Sequence, residues 1–257
     1  MATEIVQFSE QGNSPKAMNQ DALLVRDNPY AGLFMIADGM GGTRDGDRAS
    51  RTLVAMLDHW WEKRQGAFST LPFDSAVDEL KQVILTTNHE IWATTQEGSV
   101  TGSTVVLLFI MGRQYVVIWA GDSRCYRYER RFFSMKELQI SVDDVWQNEE
   151  RFTKDMTEEE IRHHKEYGHL TRAIGIKDKI ALNERREELK GRVLFTLESD
   201  GIYKYISEEQ RKSLCMYALK SGDLSGAAET VKQAVYAAGA KDNLSLIMVR
   251  TDGYSLA

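Results

Sequence analysis

The sequence predicts an α+β fold in which antiparallel sheets are covered by helices. Three observations support this class. Short runs of β-branched and aromatic residues recur along the chain, two of them are joined by a glycine-containing turn, and helical segments are clustered between and after the runs instead of alternating regularly with them. A chain of 257 residues can bury one large core, so a single domain is the economical interpretation.

Six runs are predicted as strands because they are short, apolar and bounded by turn-forming residues. They cover residues 22–25, 33–37, 104–111, 115–120, 193–197 and 244–249. Gly112, Arg113 and Gln114 separate the third run from the fourth, a spacing typical of neighbouring antiparallel strands. We therefore expect these two runs to form a β-hairpin.

Five helices are predicted from apolar spacing or from capping sequences. Residues 49–60 and 77–91 carry apolar side chains at helical intervals and charged side chains on the opposite face. The sequences Thr-Glu-Glu-Glu at 157–160 and Ser-Glu-Glu-Gln at 207–210 are capping boxes, which indicate the first turn of a helix. The last helix is predicted at residues 225–238.

The composition argues against several classes of protein. A net charge of -6 gives no general attraction to nucleic acid or to an anionic membrane. Cys125 and Cys215 lack the spacing of a zinc site or a disulfide framework, which fits a reducing cytoplasm. Residues 1–11 do not resemble an export signal, and the longest apolar run, 105–111, is too short to span a membrane. We expect a cytoplasmic protein that binds neither nucleic acid nor membrane.

Five aspartates lie next to predicted strands: Asp21, Asp38, Asp122, Asp200 and Asp242. An acid at the mouth of a buried strand is costly unless it is solvated, hydrogen-bonded or bound to a cation. Each aspartate alone is also consistent with a simple turn, because Asp-Gly favours tight turns. Together they fit an oxygen-only centre for Mn²⁺ or Mg²⁺. The residues by themselves leave both interpretations open.

Seven short motifs follow one another between residues 19 and 250. They are Asn19-Gln20-Asp21, Ala37-Asp38-Gly39-Met40-Gly41-Gly42, Gly102-Ser103-Thr104, Ala120-Gly121-Asp122-Ser123-Arg124, Leu170-Thr171-Arg172-Ala173-Ile174-Gly175, Ser199-Asp200-Gly201 and Asp242-Asn243-Leu244-Ser245. In this order they resemble the metal-dependent serine/threonine protein phosphatases, the PPM or type 2C family, in its bacterial single-domain form.

The resemblance implies a central antiparallel β-sandwich flanked by helix layers (α-β-β-α). It also implies one catalytic domain over residues 1–257 and a flap within about residues 135–175. The implied activity is hydrolysis of phosphoserine and phosphothreonine in proteins by a metal-activated water. The implied substrate is a phosphorylated protein, in opposition to a Ser/Thr kinase, and a monomeric enzyme is expected.

The resemblance further implies a role for each site residue. Asp38 would bridge two Mn²⁺ or Mg²⁺ ions, which lie roughly 3.5–4 Å apart in such centres. Asp200 and Asp242 would complete one ion. Asp21 and the Gly39 carbonyl would help to hold the other ion, partly through water. The resemblance also allows a third, weaker ion at Asp122 and Asp200.

Three positions depart from the family pattern. Lys16 stands where a phosphate-binding arginine is expected, so it keeps the charge but loses the planar fork. Lys204 replaces an acid that many members carry, and Met40 replaces the histidine of eukaryotic members. The rival interpretation is a pseudophosphatase that binds phosphoproteins without turnover. Retention of Asp38, Asp200 and Asp242 favours the enzyme.

Overall fold

The fold is described here from a computed structural model, for residues 3–16, 18–41, 46–96, 99–130 and 135–255. Gly42, the last residue of the second motif, lies outside the described residues. The described strands are β1 (Glu4–Glu10), β2 (Asp21–Asp27), β3 (Ala31–Gly41), β4 (Thr101–Ser103), β5 (Val105–Met111), β6 (Gln114–Ala120), β7 (Arg124–Arg130), β8 (Met135–Gln139), β9 (Asn183–Glu188), β10 (Val193–Glu198) and β11 (Leu244–Thr251).

The same residues contain four longer and three very short α-helices. They are α1 (Gly46–Arg64), α2 (Phe73–Thr94), α3 (Glu150–Thr153), α4 (Glu158–Arg162), α5 (Asp200–Tyr203), α6 (Glu208–Ser221) and α7 (Leu224–Ala237). Short 3₁₀ turns cover Gln65–Ala67 and Trp146–Asn148. Among the helices of the described chain, none is both long and apolar enough to cross a bilayer.

Two antiparallel sheets form the centre of the fold. One sheet has the strand order β1-β11-β10-β7-β8, and the other has the order β2-β3-β5-β6-β9, with β4 paired to β3. Phe34 and Ile36 of the second sheet share a buried cluster with Phe195 and Val249 of the first. The sheets therefore pack face to face as a sandwich.

A helix layer covers the outer face of each sheet. Because successive side chains of a strand point to opposite faces, Leu33 and Met35 of β3 join α1 and α2 in a second cluster. On the other side, Met248 of β11 packs with Cys215 of α6 and Val231 of α7. The predicted α+β class, a central antiparallel β-sandwich flanked by helix layers, is confirmed.

All six predicted strands are present, and the predicted hairpin joins β5 to β6. Its turn is one residue shorter than expected, because Met111 pairs directly with Gln114 and leaves only Gly112 and Arg113 in the turn. Gly112 has a φ of 57°, a conformation that glycine adopts without strain. The other five strands, β1, β4, β7, β8 and β9, were not predicted.

The predicted helix starts agree with α4 and α6. Thr157 and Ser207 cap these helices, and both reciprocal capping boxes are formed. The last helix begins slightly earlier than expected. Its cap is Asp223, whose Oδ1 accepts a hydrogen bond of 2.8 Å from the Gly226 N–H.

Candidate metal centre

The predicted acidic residues meet at one end of the sandwich. Asp21 is the first residue of β2 and lies directly opposite Asp38 of β3. Asp38 was predicted just after the end of its strand, and this prediction was wrong. The strand β3 continues to Gly41 because it pairs with β4. Gly39 is therefore a strand residue, paired with Ser103.

The other sheet brings the remaining acids to the same end. Asp200 opens α5 immediately after β10, and Asp242 precedes β11. Asp122 lies in the connection between β6 and β7, and so links the two sheets. Lys16 lies between β1 and β2, beside Asp242.

Polar side chains hold the backbone of Asp38 firmly. Its N–H donates to Thr104 Oγ1 at 3.0 Å, and its carbonyl accepts from the Thr104 N–H at 2.8 Å and from Ser103 Oγ at 3.1 Å. Thr104 Oγ1 also lies 2.7 Å from Ser123 Oγ. The motif at 102–104 therefore positions Asp38, and Ser123 connects it to the neighbouring loop.

Asn243 ties the start of β11 to the loop before β2. Its Oδ1 accepts a hydrogen bond of 3.0 Å from the Gln20 N–H, and its Nδ2 donates to the Gln11 carbonyl at 3.0 Å. Gln20 and Asn243 stand next to Asp21 and Asp242 in the sequence. This buried amide therefore fixes two acids from different sheets relative to each other.

Asp21 carries a carboxylate that the described residues satisfy only in part. Oδ2 accepts a hydrogen bond of 2.9 Å from Ser199 Oγ, while the buried Oδ1 has no protein partner within the described part of the chain. Burial raises the pKa of Asp21 to about 6, against the hydrogen bonds from Ser245 and Ser199. An unpaired buried oxygen of this kind is costly unless something electropositive contacts it.

Other carboxyl groups of the cluster also have raised pKa values. Burial, followed by the charges of Asp21 and Asp200, raises the pKa of Asp38 well above its ordinary value. Burial and Asp200 also raise the pKa of Asp122 to about 6. Clustered carboxylates that oppose one another's ionisation provide the charge and the oxygen donors that Mn²⁺ and Mg²⁺ require. The donor set fits these ions.

Two lysines contact this acidic cluster. Lys16 Nζ donates to Asp242 Oδ1 at 2.9 Å. Lys204 Nζ donates to Asp200 Oδ2 at 2.7 Å and lies 3.8 Å from Asp122 Oδ2. Across the described ranges, no three His, Cys, Asp or Glu side chains are arranged closely enough to hold one ion. Asp200 and Asp242 are paired with lysines in this arrangement.

Sequence reasoning missed the residues that support Asp122. Tyr203 donates its hydroxyl to Asp122 Oδ2 at 3.2 Å, and the Arg124 guanidinium lies 3.6 Å from the centre of the Tyr203 ring. Arg124 in turn donates two hydrogen bonds, from Nε and Nη2, to Asp143. Arg124 belongs to the motif at 120–124, but its partners are visible only in three dimensions.

Asp144 belongs to the segment predicted as a flap and joins this segment to the Asp122 loop. Its carboxylate accepts hydrogen bonds from the Gly121 N–H at 3.0 Å and from Arg172 Nη1 at 2.7 Å. Ile174 exchanges two backbone hydrogen bonds with Ser103. The motif at 170–175 is thus anchored beside Asp38 and Asp122.

Residues 13–256 match the family described as Protein phosphatase 2C. The match covers most of the chain and includes every acid of the cluster. The chain belongs to the protein phosphatase 2C family. The resemblance inferred from the motifs is confirmed, and so is the expected class of enzyme, a metal-dependent protein serine/threonine phosphatase.

Individual relatives agree with this membership. The serine/threonine phosphatase stp of Listeria monocytogenes is 25% identical over 226 residues, which cover 86% of this chain and 84% of that protein. PppA, a key regulatory component of the T6SS in Pseudomonas aeruginosa, is 27% identical, with a TM-score of 0.76 over 97% of each chain. The S. agalactiae serine/threonine phosphatase shares the fold, with a TM-score of 0.81 and 24% identity over 96% of this chain and 99% of its own.

Proposed function

We propose that this phosphatase hydrolyses phosphoserine and phosphothreonine in proteins at a centre of two Mn²⁺ or Mg²⁺ ions. The observation that carries the proposal is the cluster of aspartates in which Asp38 has a strongly raised pKa and the buried Oδ1 of Asp21 finds no partner among the described residues. Membership of the phosphatase 2C family supplies the reaction.

Asp38 is proposed to bridge both ions from the centre of the cluster. Asp200 and Asp242 would complete one ion, while Asp21 and the Gly39 carbonyl would help to hold the other. In the family pattern, residues at the positions of Asp122 and Asp200 would hold a third, weaker ion. When bound, paired ions of this type activate a water for in-line attack and neutralise the phosphoryl oxygens.

The chain's own contribution to substrate binding is proposed to come from Lys16. Its side chain is 36% exposed and stands at the edge of the acidic cluster. Burial alone would lower its pKa, but the hydrogen bond and charge of Asp242 raise it, so the ammonium stays charged. A fixed positive charge at this edge is suited to a phosphate dianion.

The whole chain is proposed to act as one catalytic domain with a flap within residues 135–175. The first part of this segment is β8, the edge strand of a sheet, and the remainder contains α3 and α4. Two contacts of this segment support the proposal, those of Asp144 with the Gly121 N–H and of Ile174 with Ser103. We further propose a cytoplasmic, monomeric enzyme that opposes a Ser/Thr kinase.

Turnover of a phosphopeptide tests the proposal against the pseudophosphatase alternative. Purified protein with Mn²⁺ is expected to release phosphate from phosphothreonine and phosphoserine peptides and from para-nitrophenyl phosphate. A phosphotyrosine peptide serves as the specificity control. Binding of the phosphopeptide without phosphate release would establish the scaffolding function instead.

Replacing Lys16 tests its proposed contact with phosphate. Lys16→Ala is expected to raise KM for a phosphopeptide by about tenfold, the range for losing a hydrogen bond to a charged group. Lys16→Arg is expected to lower KM, because a planar fork adds an oriented hydrogen bond. Steady-state kinetics would measure both. Wild-type KM in both variants would show that Lys16 does not contact the substrate.

Replacing Lys204 by aspartate tests whether this lysine competes with the ions for Asp200. The inward orientation expected for such competition is present, since Nζ lies 2.7 Å from Asp200 Oδ2. Lys204→Asp is expected to lower the Mn²⁺ concentration for half-maximal activity by roughly tenfold, the lower range for residues that support a metal ligand. Superimposable Mn²⁺ titrations of the two proteins would contradict this.

A further inference from the structure

Lys204 is held between two carboxylates by the helical turn that carries one of them. The helix α5 has a single turn, and the Lys204 N–H closes it by donating to the Asp200 carbonyl at 3.1 Å. Because residues four apart share one face of a helix, the lysine side chain folds back onto Asp200. The same Nζ lies 3.8 Å from Asp122 Oδ2.

The same turn also donates a hydrogen bond to Asp122. Tyr203 donates its hydroxyl to Oδ2, the same oxygen that Lys204 approaches. The Tyr203 ring is held under the Arg124 guanidinium, which Asp143 fixes in place. One turn of chain therefore supplies a neutral hydrogen-bond donor and a nearby ammonium charge to Asp122, and presents Asp200 beside it.

We infer that the ammonium group of Lys204 replaces a third ion between Asp122 and Asp200, so that this centre binds two divalent ions and not three. The inference rests on the proposed two-ion centre. A Mg²⁺ ion joining both carboxylates would need an oxygen of each at about 2.0–2.1 Å. The ammonium would then lie close to the ion, where two positive charges repel strongly in a partly buried site.

The electrostatic environment supports a permanently charged lysine here. Burial alone would lower the pKa of Lys204, but the charges of Asp200 and Asp122 keep it above its ordinary value. Lys204 also offsets part of the repulsion between these two acids, since its Nζ lies 2.7 Å from Asp200 Oδ2 and 3.8 Å from Asp122 Oδ2. The acid pair is therefore already neutralised in part by its own chain.

Lys16 differs from Lys204 in a way that separates their roles. Among the described residues, its Nζ pairs with the carboxylate of Asp242, which comes from a segment distant in sequence. Lys204 is four residues from Asp200 and contacts two acids. An ammonium group that contacts two acids from one helical turn is better suited to take the place of a metal ion than an ammonium group that contacts one acid of a distant segment.

The number of Mn²⁺ ions bound per chain tests the inference without using activity. Metal-stripped protein is titrated with Mn²⁺, and free Mn²⁺ is followed by its electron paramagnetic resonance signal. We expect two bound ions in the wild type and three in Lys204→Met, which keeps the apolar stem and removes the charge. Lys81→Met is the matched control, because it removes a lysine of α2 that pairs with Glu184 of β9 at 2.6 Å. This control protein is expected to bind two ions.

Three bound ions in the wild type, or two in a folded Lys204→Met protein, would overturn the inference. Lys204→Gln is a second variant, and circular dichroism verifies the fold of both.

Asp38→Asn separates the two proposals. If it loses ions while Lys204→Met binds two, only the inference about Lys204 fails. If Asp38→Asn retains both ions, the proposed two-ion centre fails, and this inference fails with it.

Discussion

Replacing Asp38 by asparagine is expected to reduce kcat/KM on a phosphopeptide by more than about 100-fold, the upper range for residues that merely support a metal ligand. Asp38 lies at the point where the charges of three other acids converge. An amide preserves the shape of the side chain, but it carries no negative charge and offers one oxygen instead of two. The loss should therefore affect both proposed ions at once.

Asp27→Asn is the matched control for this change. Asp27 is the last residue of the strand that begins with Asp21, it is exposed, and it pairs with Gly32 at the far end of β3. We expect wild-type kinetics from Asp27→Asn. A wild-type rate in Asp38→Asn would instead remove this aspartate from the catalytic centre and refute the mechanism.

Removing divalent ions is expected to abolish turnover completely. The proposed mechanism uses no protein nucleophile, and it assigns the activation of the attacking water to the ions. Treatment with EDTA should reduce phosphate release to the uncatalysed background, and an excess of Mn²⁺ should restore it. Activity that persists in EDTA would show that the reaction does not depend on the aspartate cluster as a metal centre.

Ion removal should also be visible in stability. Bound Mn²⁺ relieves the repulsion among Asp21, Asp38 and Asp200, and a ligand that binds only the folded state raises the free energy of unfolding. The midpoint of thermal unfolding should therefore rise with Mn²⁺ in the wild type. It should rise much less in Asp38→Asn, which provides a readout independent of substrate.

The sequence predicts the inner strands well because both of their faces are buried. In β3 and β5 almost every side chain is apolar, since one face meets a helix layer and the other meets the second sheet. β9 escapes prediction because it is an exposed edge strand with the sequence NERREE. Its charges are satisfied by partners that include a distant helix, such as Asp74 of α2, which accepts from Arg186 Nη1 at 2.6 Å.

β7 was missed for a different reason. Its sequence RCYRYER places arginines within a buried strand, and Arg127 is accommodated because Glu187 of β9, Glu129 and the Tyr115 hydroxyl contact it. A charged residue in a short run argues against a strand unless its partner is known, and Glu187 lies 60 residues away. Tertiary pairing decides the structure at this position.

At the site, the sequence predicts the acidic residues, but it does not predict the contacts that orient and support them. Motif order identifies the aspartates, because each stands beside a strand that the sequence predicts. The orientation of Lys204 depends on the single turn of α5, a helix that the sequence does not predict. Support from Tyr203 and Asn243 depends on contacts between segments more than 80 residues apart.

The position of β11 has a consequence for biosynthesis. This strand lies between β1 and β10, although it is about 240 residues away from β1 along the chain. Asp242 and Asn243 immediately precede it, so the ribosome must release this last strand before the first strand can find its neighbour. A nascent chain therefore carries β1 unpaired until β11 has emerged. We expect the proposed metal-binding acids to come together only after that point.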